Sequence, residues 1–75
     1  MSDPRDEAAE KLDVLAEELE RAAQHCRVAA QHYRDRLIPR AAAHAWAAHG
    51  HIHRISTALD GLAESHADHS VPQAD

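Results

Sequence analysis

Seventy-five residues, a net charge of −5, two aromatic side chains and a single cysteine allow one small domain at most. A chain of this size buries only about 60% of the surface it exposes when unfolded, so it calls for a staple. Cys26 has no second cysteine to bond within the chain, which leaves a metal or association with another chain.

The first residues, Met1-Ser2-Asp3-Pro4-Arg5-Asp6, are polar and acidic, unlike a signal peptide, and no apolar run approaches the roughly 20 residues that span a bilayer. With the lone cysteine, this predicts a soluble, cytoplasmic protein. Alanine, leucine, glutamate, glutamine and arginine dominate, and all favour helix.

Helix one is expected over about 4–35. Asp3 suits the N-cap, Pro4 the first helical position, and Asp6 and Glu7 the positive end of the helix dipole. Small or apolar residues then recur at 8, 12, 15, 19, 22, 26, 29 and 33, alternately four and three apart. This is a heptad seam of nearly four repeats. A flanking column at Ala9, Ala16, Ala23, Ala30 and Leu37 widens the stripe. Cys26 falls on the seam, where a buried, inert thiol is expected.

A second seam runs through 38, 41, 45, 48, 52, 55, 59 and 62. The five-residue step from Tyr33 to Ile38 rotates the stripe by about 140°, so one straight helix cannot carry both seams. Pro39 disfavours helix at the residue before it. The turn is therefore placed at about 35–39, with Pro39 opening a helix two over about 39–67. Gly50 is a poorer turn, because the second seam passes through it without a slip. Residues 70–75, with Pro72, are expected to be a disordered tail, and His66 and His69 are assigned to the frayed end.

Charge and histidine follow the same division. Residues 1–20 hold eight acids and two bases, residues 21–54 six arginines and Asp35, and residues 55–75 four acids. A hairpin gathers both acidic ends at one pole and the arginines at the other. Folding about residue 38 pairs positions whose numbers sum to about 76. His25 and His32 lie beside the first seam, His44 and His51 beside the second, so His25 should face His51 and His32 should face His44. The segment Ala22-Ala23-Gln24-His25 is echoed seven residues on by Ala29-Ala30-Gln31-His32.

These four histidines are the first candidate metal site. Imidazoles suit Zn, Ni, Cu or haem, but a pair is incomplete and needs ligands from elsewhere. In a dimer with opposite poles adjacent, Glu17 or Glu18 of the mate would approach His25. His49 and His53, one helical turn apart, are a second candidate, with Trp46 and Ala42 on the same outer stripe. That stripe and the basic turn end are candidate surfaces for a protein partner. Facing histidine pairs also predict a stability that falls between about pH 7 and 5, where unperturbed histidine takes up protons.

No nucleophile elbow, phosphate-binding loop, dinucleotide fingerprint, HExxH or Glu-x-x-His spacing is present, so an enzyme is not expected. The acidic balance opposes nucleic-acid binding. The sequence thus predicts an all-α antiparallel two-helix hairpin over 1–69, associating into a four-helix bundle or larger helical oligomer, most simply a dimer. Its expected role is that of a binding or accessory module with a histidine-lined edge. A transition-metal or haem protein built on those histidines is the alternative.

Overall fold

The computed structural model describes residues 3–69. They form two helices, α1 (Pro4–Arg34) and α2 (Ile38–His69), packed side by side as an antiparallel hairpin. The expected tail at 70–75 lies outside the described residues. α2 includes His66 and ends at His69, where the sequence placed its end at about 67.

Local chemistry accounts for the ends. Asp3 caps α1, its carboxylate accepting from the Arg5 amide at 2.8 Å, and Pro4 follows where no N–H is required. α1 stops in a Schellman turn: the Leu37 amide donates to the His32 carbonyl at 2.8 Å and the Arg36 amide to the Tyr33 carbonyl at 3.1 Å. Arg36 occupies the left-handed position of that turn, with φ 65°, where glycine is the usual resident. Pro39 sits one residue inside α2, where its missing N–H is again harmless.

The turn is therefore three residues centred on Arg36, not on residue 38. This sets the register. Positions across the hairpin sum to about 72 rather than 76, so each residue of one helix falls between two of the other.

The core is a single column on each helix. Leu15, Ala22 and Ala29 of α1 and Ala41, Ala48 and Ile55 of α2 are buried, each set spaced by seven. Four of the six are alanines, so the backbones can approach closely near the turn. The other half of each expected seam is not buried. Leu12, Leu19, Tyr33, Ile38, Ile52 and Leu59 are 45–52% exposed, and Cys26 is exposed, contrary to its expected burial. The reason is geometric. Two helices cover only one stripe of each other, and the hairpin contact is rotated toward the histidine side. The molecule measures 55 × 28 × 16 Å, a single layer of helices with two open broad faces.

Two positions oppose the helix–turn–helix geometry without evident compensation. Arg36→Gly should relieve the left-handed strain and stabilise the hairpin by about 1 kcal/mol. Gly50 lies inside α2, and an added Cβ meets nothing within 4 Å. Gly50→Ala should add about 0.8–1 kcal/mol. The sites are far apart in the fold, so urea midpoints of the single and double variants should give near-additive gains. Loss of stability in either single variant contradicts the backbone account.

Candidate functional site

The column on α1 next to the buried one reads Glu18, His25, His32, and its counterpart on α2 reads His44, His51. All five side chains lie on partly buried residues. The half-heptad stagger interleaves them into one ladder in the order His32, His44, His25, His51, Glu18. His32 tilts against His44 with ring centroids 5.4 Å apart. His44 lies 5.2 Å from His25, and His25 stacks on His51 at 5.3 Å with 21° between the planes. The facing pairs expected from the sequence, His25 with His51 and His32 with His44, are therefore adjacent. The contact that sequence reasoning missed, His25 with His44, joins them into one array.

That contact is the closest between two rings of the ladder. The two Nδ1 atoms are 3.0 Å apart. The centroid separation of 5.2 Å is nearly the nitrogen separation plus the two ring radii, so the nitrogens point at one another head-on. This is the geometry of an N–H···N hydrogen bond. A metal at about 2.0–2.1 Å from each of two head-on nitrogens would hold them about 4 Å apart. One ring must therefore donate from Nδ1 while the other, protonated on Nε2, accepts.

Charge closes the end of the ladder away from the turn. His51 Nδ1 lies 2.8 Å from Glu18 Oε1 and 2.9 Å from an Nη of Arg54, and the Arg54 guanidinium donates to the same Glu18 oxygen at 2.6 Å. Arg21, one turn along α1, lies 3.7 Å from the other carboxylate oxygen. The hydrogen bond from His51, followed by that from Arg54, holds the Glu18 carboxyl below the usual carboxylate range. Sequence reasoning offered Glu17 or Glu18 as a ligand from a partner chain; within the hairpin Glu18 meets its own chain's His51, and Glu17 is exposed. A fold centred on residue 36 would have identified the pair, since Glu18 and Arg54 sum to 72. At the turn end, the buried Nδ1 of His32 has no hydrogen-bond partner.

The second candidate lies elsewhere. His49 and His53 are exposed on the outer side of α2. Trp46, 72% exposed, meets His49 edge-on at 5.6 Å. Among the described residues no three His, Cys, Asp or Glu side chains are grouped so as to hold a metal ion. No described helix is long and apolar enough to cross a membrane. Compared with protein-family models, curated proteins and solved structures, the chain finds no significant match.

Glu18→Gln tests the anchor. A carboxyl held below its unfolded value contributes stability that is fully present above that value and is lost as pH falls through the folded one. The variant should be less stable than the wild type at pH 7. The gap should close as pH drops below about 4, where the wild-type carboxyl is itself neutral. Thermal melts over that range read the difference; a gap that is constant with pH would assign the loss to shape rather than to charge.

Proposed function

We propose that this chain is a self-associating helical-hairpin module, a small binding or accessory unit whose open apolar face docks on a second copy to complete a four-helix bundle. The observation that carries this reading is the row of half-exposed apolar side chains on one broad face. Leu12, Leu19, Cys26 and Tyr33 line it from α1, and Ile38, Ala45, Ile52 and Leu59 from α2. Cys26, Tyr33, Ala45 and Ile52 share one groove across the hairpin, so the two rows belong to the same face. The rows continue the heptad spacing of the buried columns, which is the pattern a bundle core requires. Each half-exposed leucine or isoleucine has about 1 kcal/mol of burial left to gain.

Charge complementarity names the occupant and its direction. The acidic start of α1 and the acidic last part of α2 meet at the open pole, and the arginine-rich segment forms the turn pole. A second hairpin packed with its turn beside the first one's open end brings opposite charges together. The parallel arrangement stacks like charges at both poles. The transition-metal or haem reading of His25, His51, His32 and His44 has less behind it, since a metal would have to draw its remaining donors from a second chain.

Sedimentation velocity at micromolar concentration should give a dimer for the wild type and a monomer for Leu19→Glu/Ile52→Glu. A monomeric wild type removes the reading. The orientation is checked separately, with spin labels at the turn of a Cys26→Ser background, for example on Arg36→Cys. Labels in the two copies should lie at opposite ends of the bundle, beyond short-range detection. A short separation between them rules out the antiparallel assembly.

A further inference from the structure

One edge of the seam that joins the two helices is lined by four histidines, and its central contact has room for one hydrogen between two nitrogens. We propose that the ladder is a proton-gated seam: the His25–His44 pair holds a single hydrogen between its Nδ1 atoms while the hairpin is closed, and protonation of both rings opens it.

The count of protons carries the argument. With both rings neutral, one Nδ1–H donates to the other Nδ1, and the remaining hydrogen sits on the acceptor's Nε2. One added proton makes the donor an imidazolium and leaves the hydrogen bond in place, now charge-assisted. A second added proton must go to the accepting Nδ1. Two N–H groups then face each other at 3.0 Å, the hydrogen bond is lost, and two cations stand in contact. His51 stacks on His25 and His32 tilts against His44, so a ring that turns aside gives up its contact with a neighbour.

The surroundings decide where protons are tolerated. At the far end, His51 Nδ1 faces both the Glu18 carboxylate at 2.8 Å and the Arg54 guanidinium at 2.9 Å. Glu18 is already engaged by Arg54 from α2 and approached by Arg21 from α1. The bonds of the central pair run to other histidines, and His25, His32 and His44 lie in the segment that already holds six arginines and one acid. Acid therefore loads the middle of the ladder with charge, while the carboxylate at its end, Glu18, is engaged by His51 and Arg54. This inference depends on the hairpin of a single chain and not on its self-association.

The test uses the full chain in the presence of a chelator. Long-range nitrogen-15 NMR at pH 7.5 should find His25 and His44 as opposite tautomers, one with hydrogen on Nδ1 and the other on Nε2. Both rings protonated on Nε2 would overturn the shared hydrogen, and this reading needs no variant. The thermal midpoint should fall by about 5–10 °C between pH 7.5 and 5.5, with sedimentation run at each pH to separate opening from dissociation. His25→Leu/His44→Leu should flatten that fall, and His53→Gln, on the outer face, should keep it. A wild-type midpoint that is flat or rises across the window sinks the proposal, as does a full-sized fall in the leucine variant. If the leucine variant does not fold, the wild-type tautomers and pH profile decide the matter.

Discussion

A pair of helices can hide only one stripe of each other, and the three-residue turn at Asp35–Leu37 decides which stripe that is. Its Schellman hydrogen bonds fix the direction in which the chain leaves α1, and its centre at Arg36 fixes the register. From that register come the alanine column in the middle, the histidine ladder on one side and the row of leucines and isoleucines on the other. No single residue of the ladder was chosen by its neighbours alone. Each is where it is because the turn is three residues long.

The two sides of the seam obey different physics. The apolar side gains by excluding water, and its gain changes little with pH. The histidine side gains by hydrogen bonding and ring contact, and it is sensitive to every proton. Glu18 shows how the two are reconciled at one end: one carboxylate in contact with an imidazole and two arginines ties both helices together. At the other end, the unpartnered Nδ1 of His32 leaves the array unfinished.

The helices and their ends were legible because capping and breaking residues act locally. Asp3, Pro4 and Pro39 announce boundaries wherever they occur. Which residues the hairpin buries was less legible. A heptad seam states which face is apolar, but not how many partners will share it. Leu12, Leu19 and Cys26 carry the same periodic signal as Leu15 and Ala22, yet lie open. The histidine neighbours were readable to within half a heptad. Taking residue 38 as the fold centre paired His25 with His51 and overlooked His44. The offset came from centring the fold on residue 38, when the turn is centred on the left-handed Arg36. The role of Glu18 was hidden by the same offset.

The repeated Ala-Ala-Gln-His at 22–25 and 29–32 has a consequence for how such a chain can change length. A heptad added to α1 supplies one more alanine to the core column and one more histidine to the ladder, but only if α2 grows by a heptad at the same height. An insertion on one helix alone slides every rung beyond it against the wrong neighbour, and the slippage cannot be absorbed by a turn that has no spare residue. The hairpin is thus extensible only in matched pairs of repeats, like a zip that accepts teeth only when both tapes receive them.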